Sequence, residues 1–110
     1  MSTNVRVVNF TGDVTLSTVT GLAETVTTAL KEVPMVLVSL SQCTDIDLAG
    51  VQLLISLKRY ARLHKKAVHL TGAVPEVVAG RMTAGGFTPN PVREGRELDT
   101  HLEDKGAPND

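Results

Sequence analysis

The segment MVLVSLSQCTDIDLAGVQLL, residues 35–54, decides the fold prediction for this chain. Its first six residues are almost all apolar, which is typical of a strand that is covered on both faces of a sheet. From Val51 onward, apolar side chains recur at steps of three and four, which indicates an amphipathic helix with one apolar face buried away from water. Residues 42–47 are then the connection, and a central strand that leads into an amphipathic helix indicates a parallel α/β unit.

The flanking sequence repeats this alternation of strand and helix. A valine-rich first strand meets a turn signal, TGD, at residues 11–13, and Ser17 is the expected N-cap of a first helix that Pro34 follows. Pro75 suits the first turn of a third helix. The predicted elements are strands at residues 5–10, 35–40 and 67–70, and helices at residues 17–33, 51–65, 75–84 and 96–102.

Strands separated by amphipathic helices predict parallel pairing with right-handed crossovers. We therefore expect an α/β fold whose sheet is mixed but mainly parallel, with helices packed on it. The chain has 110 residues, of which 42% are hydrophobic, enough for one modest core. A single domain is expected over residues 1–105, and the polar end at residues 106–110 is expected to be disordered.

Composition limits the classes of partner. Eleven basic and twelve acidic side chains leave a formal charge of −1, so we expect neither a nucleic acid nor an anionic membrane as a partner. No segment is apolar over the length that a bilayer requires, and the first residues show no basic leader before a long apolar stretch. The one cysteine, Cys43, is expected to be a small core residue with a reduced thiol. These features predict a cytoplasmic protein without direct membrane insertion.

The polar residues do not assemble a recognisable catalytic motif. The three histidines, His64, His69 and His101, lie in a helix, a strand and the tail, with no nucleophile or carboxylate at a spacing that would organise them. Phosphate-loop, zinc-protease and nucleophile-elbow motifs are missing. Asp45 and Asp47 have the chemistry to share a cation, but capping and solvation are the expected roles. We predict no catalytic residue, no cofactor and no metal site, and therefore no enzyme.

The informative place is the loop that enters the second helix, because open parallel sheets present binding surfaces at the carboxyl ends of their strands. Asp47 is the expected N-cap of that helix. Gly50 lacks a β-carbon and lets the helix approach the sheet closely. Neither capping nor helix propensity explains why a leucine stands at position 48. It either packs back into the core or stands exposed as a contact for another protein.

Residues 33–87 resemble the STAS domain of bacterial anti-sigma-factor antagonists. The shared pattern is an apolar strand, a short loop to Asp-(Ser/Thr)-x-Gly, a leucine-rich helix, a strand, and a proline-containing helix that ends at a glycine followed by an apolar residue. The motif positions in this chain are Asp47, Gly50, Leu53 and Leu54. Residues 10–26, FTGDVTLSTVTGLAETV, also resemble the family's earlier Leu-x-Gly-Glu-Leu-Asp segment and the helix after it, less specifically.

The resemblance implies a non-catalytic regulatory domain that binds a kinase-like anti-sigma factor. In that family, phosphorylation of the Ser or Thr after the motif aspartate switches the complex off, because a dianionic phosphate changes the contact surface. Leu48 occupies that position here and has no hydroxyl, so this switch cannot operate at residue 48. Thr15 stands where the family usually has an aspartate in the earlier segment. Ser41 and Thr44 are nearby hydroxyls that stay open to modification.

The expected partner-binding residues are Asp47, Leu48, Ala49 and Gln52, with Gly50 permitting the backbone geometry. The leading prediction is an anti-sigma-factor antagonist-like domain that is not switched by phosphorylation at the usual site. Two other readings stay open: a STAS subunit of an ATP-driven lipid-transport complex, and an accessory protein in chemotaxis or two-component signalling. Few residues precede the first strand, so its edge is expected to be open to self-pairing, which permits a dimer.

Overall fold

The computed structural model describes residues 4–106, with side chains as far as Leu102, and contains three strands and four helices in this range. In chain order they are β1 (Val5–Val14), α1 (Val19–Leu30), β2 (Met35–Ile46), α2 (Leu48–Leu63), β3 (Ala67–Thr71), α3 (Glu76–Ala84) and α4 (Gly95–Gly106). The strands form one sheet in the order β1-β2-β3, and both pairs are parallel. This confirms the predicted α/β class and the central position of β2. Residues 107–110 of the predicted disordered tail lie outside the described residues.

The first two strands are longer than the sequence predicted. β1 continues through the TGD segment, and β2 continues to Ile46, so the predicted turn is wrong and the predicted connection shrinks to Asp47. The register between the strands shifts after Asn9 and again after Gly12, which adopts a φ of +82°. Glycine takes this left-handed conformation easily, so the irregularity stays within the sheet as a bulge. Each strand supplies hydrogen-bond partners to the other, and both therefore persist past residues that locally favour a turn.

The start of α1 differs from the prediction as well. The helix begins at Val19, and its N-cap residue is Thr18 rather than Ser17. The Thr18 hydroxyl donates to the Asp13 carbonyl at 2.9 Å and accepts from the Thr15 amide at 2.9 Å. It therefore organises the loop between β1 and α1 and does not cap the helix with its side chain. Among the helices of the described range, none is long and apolar enough to cross a bilayer.

The two faces of the sheet are covered unequally. Both crossover helices, α1 and α2, pack on one face and contact each other, as right-handed crossovers between consecutive neighbouring strands require. The side chains that β2 directs to that face, Val36, Val38 and Leu40, are fully buried. On the opposite face, Leu37 is half-buried and its β1 neighbour Val7 is exposed. The prediction that β2 is covered on both faces is therefore wrong for its first half.

β3 lies at an edge of the sheet, and a buried ion pair forms hydrogen bonds with the backbone groups of β3 that face away from β2. The Nζ atom of Lys58 in α2 lies 2.6 Å from Oδ1 of Asp99 in α4, and it also donates to the Val68 carbonyl at 3.0 Å. The same Asp99 oxygen accepts from the Leu70 amide at 2.9 Å. An unpaired strand edge is a template for unwanted pairing with other chains. The ion pair satisfies these edge groups and joins α2, β3 and α4.

Asp99→Ala is expected to lower the free energy of unfolding by about 3–5 kcal/mol, because it leaves the Lys58 ammonium buried without its partner. Urea denaturation followed by circular dichroism measures the change. The matched control is Arg6→Ala, which removes an exposed 2.6 Å pair with Glu32 and should change stability by less than about 1 kcal/mol. Equal effects of the two substitutions would contradict a stabilising role for the buried pair.

Candidate functional site

The candidate site lies at the carboxyl edge of the sheet, where β1 and β2 finish side by side. Val14 pairs with Ile46 at the ends of the two strands. The backbone amide of Asp47 then donates to the Val14 carbonyl at 3.2 Å. The loop from β1 to α1 and the start of α2 therefore leave the sheet at neighbouring points. Open parallel sheets usually bind their ligands at this edge.

The Asp47 carboxylate holds these two segments together. Its Oδ1 atom accepts from the Gly50 amide at 2.8 Å, and its Oδ2 atom accepts from the Leu16 amide at 3.1 Å. The first bond confirms Asp47 as the N-cap of α2 and places its charge at the positive end of the helix dipole. The second bond joins residues 31 positions apart, which no local pattern predicts. We call these two hydrogen bonds the Asp47 clamp.

Gly50 brings the first turn of α2 into contact with the end of β1. A β-carbon at this position would lie 2.2 Å from the Val14 carbonyl oxygen and 2.7 Å from Cγ1 of Ile46. The first of these neighbours is backbone and cannot rotate away. This confirms that Gly50 permits a close approach of helix to sheet, as the sequence predicted.

Leu48 is exposed and does not pack back into the core. It is the first residue of α2, three positions before the predicted start of the helix, and its exposed fraction is 61%. Leu16, whose amide is held by the Asp47 clamp, is 75% exposed. Two large apolar side chains are therefore exposed on residues whose backbone adjoins one carboxylate, that of Asp47. A pair of this kind is more informative than a single exposed leucine, which is common on protein surfaces.

The other predicted contact residues differ in exposure. Gln52 and Asp47 are exposed, Ala49 is half-buried, and Gly50 is buried. Ala49 and Gly50 therefore shape the start of the helix, and the exposed side chains are those available for contact. We call the four exposed side chains Leu16, Asp47, Leu48 and Gln52 the loop surface. Sequence reasoning missed Leu16, because its place beside Leu48 follows from strand pairing and the Asp47 clamp.

A cleft of about 330 Å³ opens beside Leu48, between the start of α2 and the end of α3. It is lined by Ile46, Asp47, Leu48, Val51, Arg81, Gly85 and Phe87. Most of these side chains are apolar, so the cleft suits an apolar group more than a charged one. The contribution of α3 could not be predicted, because Arg81 and Phe87 lie more than thirty positions from Leu48 in the chain.

The acidic residues of this region have separate partners. Asp45 receives two hydrogen bonds from Arg81, from Nε at 2.9 Å and from Nη2 at 3.1 Å. The Arg81 bonds hold the pKa of the Asp45 carboxyl below its usual value, and the Ile46 amide contributes to the same shift. The Asp47 carboxylate accepts the two backbone hydrogen bonds of the Asp47 clamp. Within the described residues, no group of three or more His, Cys, Asp and Glu side chains is placed to hold a metal ion.

The neighbouring hydroxyls and the thiol also have defined environments. The Thr44 hydroxyl donates to Oδ1 of Asp13 at 2.5 Å, and the Ser41 hydroxyl lies 3.0 Å from that of Ser39. Cys43 is buried, as predicted, and its pKa is raised to about 11, first by burial and then by the Asp13 and Asp45 carboxylates. The thiol is therefore protonated at neutral pH and is a poor nucleophile.

The three histidines lie elsewhere in the fold, and Thr15 directly precedes Leu16 in the loop from β1 to α1. The Nδ1 atom of His69 lies 2.8 Å from Oδ2 of Asp99 at the β3 edge, and the His64 ring stacks on Tyr60 with a centroid distance of 4.1 Å. His101 lies on α4. Thr15, at the position where the resemblance led us to expect an aspartate, has its hydroxyl 3.2 Å from that of Ser17. The structure therefore brings none of the three histidines into the loop surface.

Sequence comparison identifies the family. The family model described as "Mlab, STAS domain" matches residues 1–87, which is most of the chain. The chain therefore belongs to the STAS domain family, as the resemblance predicted. No curated protein sequence matches it.

Two solved structures show the same fold. The unphosphorylated form of the anti-sigma factor antagonist SpoIIAA matches with a TM-score of 0.57 and 18% sequence identity, over 82% of this chain and 81% of that one. A structure described as "Crystal Structure Analysis of Mglu" matches with a TM-score of 0.56 and 18% identity, over 66% of this chain. This chain spans 18% of the length of the Mglu chain. At such identity the likeness concerns the fold.

Gly50→Ala is expected to lower the free energy of unfolding by about 1–3 kcal/mol, because the new methyl group would overlap the Val14 carbonyl. The control is Gly80→Ala in α3, where a β-carbon meets nothing within 4 Å. That substitution should raise stability by about 0.5–1 kcal/mol through helix propensity. Thermal and urea unfolding compare the two variants. If Gly50→Ala were as well tolerated as Gly80→Ala, the close approach of α2 to β1 would be refuted.

Proposed function

We propose that this chain is a non-catalytic regulatory STAS domain that binds another protein through the loop surface, as an anti-sigma-factor antagonist does. Membership of the family and the fold shared with SpoIIAA support the class. The observation that carries the proposal is the exposure of Leu48 beside Leu16 at the carboxyl edge. An apolar residue at the first position of a helix, held out of the core by a capped turn, is available for contact.

The geometry favours binding to a preformed surface. The Asp47 clamp and the close contact at Gly50 fix the backbone of both segments that present the leucines. A rigid surface loses little conformational entropy on association. Burial of apolar area then contributes about 25 cal/mol per Å². The apolar cleft beside Leu48 is suited to an apolar side chain of the partner, and Asp47 and Arg81 are the polar residues of its lining.

The proposed partner is a kinase-like anti-sigma factor. The absence of a hydroxyl from Leu48 leaves the loop surface permanently in the state that corresponds to the unphosphorylated form. Regulation would then act on the partner, or on the nearby hydroxyls of Ser41 or Thr44. A phosphate on Thr44 would lie beside the Asp13 carboxylate that its hydroxyl now contacts, and like-charge repulsion would disturb the paired ends of β1 and β2. The proposed protein is cytoplasmic, does not bind nucleic acid and does not insert into a membrane.

Two alternatives use the same surface with another partner. A STAS subunit of an ATP-driven lipid-transport complex would dock on the transport ATPase, and a signalling accessory protein would dock on a chemotaxis or two-component protein. Self-association through β1, which lies at an edge of the described sheet, is a separate proposal that leaves the loop surface available. The identity of the recovered partner separates these cases.

Leu48→Asp is expected to reduce recovery of the partner at least about tenfold when the tagged chain is purified from cells of its source, because a charge would replace a central apolar contact. Quantitative mass spectrometry of the co-purified proteins measures this. The matched control is Leu63→Asp, which places the same charge on the other end of α2, at a side chain that is 73% exposed. Recovery should be unchanged in this variant.

The identity of the lost protein decides between the readings. Loss of a kinase-like anti-sigma factor supports the proposal, and loss of a transport ATPase subunit supports the first alternative. If the Leu48→Asp variant recovered every protein as well as the unsubstituted chain does, the loop surface would not be the partner-binding surface.

A further inference from the structure

The outer edge of β1 is open in the part of the chain that the structure describes. β1 is the end strand of the sheet order and pairs with β2 on one side. From Val5 to Asn9 its register with β2 is unshifted, so this stretch is regular. Its one charged side chain, Arg6, is paired with Glu32, and it contains neither proline nor a bulge. Proline and bulges are usual devices against pairing with another chain, so this edge is weakly protected.

A groove of about 400 Å³ follows this edge between β1 and α1. Its lining is Arg6 and Val8 from β1, and Gly21, Glu24, Thr25, Thr28 and Ala29 from α1. Val8 lies on the sheet face that α1 covers, yet it is only half-buried. The α1 wall consists mainly of small side chains, and the Thr25 hydroxyl already donates to the Gly21 carbonyl at 3.0 Å. A packed element can therefore fill the groove without leaving this hydroxyl unpaired.

We propose that a second copy of this chain pairs with the β1 edge, antiparallel to it, across a two-fold axis at Val7. Val7 is the middle residue of the regular stretch, so a two-fold pairing of that stretch has its axis there. The free N–H and C=O groups of an edge strand are complementary to those of its own copy in this arrangement. Val7 is 54% exposed, and the pairing sets it opposite Val7 of the second copy as an apolar cross-strand pair.

The charges of the groove favour a second copy over an unrelated strand. The same register sets Arg6 opposite Val8 of the second copy, and Glu24 lines the groove together with Val8. Each Arg6 therefore approaches the exposed Glu24 of the other copy, and the symmetry forms this contact twice. Arg6 donates to Glu32 from Nη1 at 2.6 Å, and a guanidinium has five N–H donors in all.

The position of α1 is compatible with this dimer. α1 contacts both β1 and β2 and so lies over that strand pair. The two-fold axis then places the two α1 helices about two strand spacings apart, on the order of 10 Å, which is close to the distance between packed helices. The small side chains of Gly21, Thr25 and Thr28 line the space between them.

The dimer leaves the loop surface accessible. Val7 lies about 23 Å from Val14 along a strand that rises 3.3 Å per residue, so the axis is remote from Leu16 and Leu48. The antiparallel arrangement places the two loop surfaces at opposite ends of the doubled sheet, where each is free to bind a partner. A short strand and one helix face form a small interface, so we expect a weak dimer, and its failure would leave the proposed function untouched.

Sedimentation velocity of the intact chain at rising concentration tests the proposal. The mass should rise from 11.7 kDa towards twice that value, with a dissociation constant between about 1 µM and 1 mM. Val7→Lys should weaken dimerisation at least about tenfold, because it sets like charges opposite each other. The matched control is Val77→Lys, at a valine of α3 that is 50% exposed, and it should change the constant less than about twofold. A monomer at every concentration, or equal weakening by both variants, overturns the proposal.

Exchange of the two charges tests the register and uses exposed positions only. Arg6→Glu and Glu24→Arg, each studied alone, bring like charges together twice and should weaken dimerisation at least about fivefold. In an equimolar mixture of these two variants, a heterodimer regains both opposite-charge contacts, and its affinity should return to within about twofold of that of the unsubstituted chain. A mixture that dimerises no better than the separate variants overturns the proposed interface.

Discussion

One carboxylate joins the two chain segments that leave the sheet at its carboxyl edge. Asp47 accepts hydrogen bonds from Gly50 and Leu16, and the missing β-carbon of Gly50 lets α2 begin directly against the Val14 carbonyl. The helix begins at this point, and its first residue, Leu48, is exposed to solvent. The same carboxylate holds the backbone at Leu16 and at the start of α2, and the proposed binding surface depends on these two hydrogen bonds.

The parts of the fold that local patterns encode were predictable. Alternating strands and amphipathic helices gave the α/β class and the central place of β2, and an aspartate before an apolar helix gave the cap at Asp47. The extension of β1 through Gly12 was not predictable, because a glycine that favours a turn also suits a bulge when a partner strand is present. Leu16, Arg81 and the Lys58–Asp99 pair were missed because each depends on a contact between distant parts of the chain.

Net charge averages over the whole surface and does not show where charged side chains gather. A chain of formal charge −1 nevertheless places four Lys and Arg side chains around one cavity. The same buried Lys58 that lines this cavity also satisfies the outer edge of β3 through Val68 and Asp99. α2 therefore carries exposed apolar side chains at its N-terminal end, and further along it Lys58 joins it to β3 and α4.

The most direct test of the central claim is photo-crosslinking in the cells of origin, with a benzoylphenylalanine residue placed at position 48, 16 or 63 in turn. Each position carries an exposed leucine, so the three variants differ mainly in where the probe lies. The account predicts that positions 48 and 16 crosslink to the same protein and that position 63 does not. A product that forms equally from position 63, or none from positions 48 and 16, would contradict it.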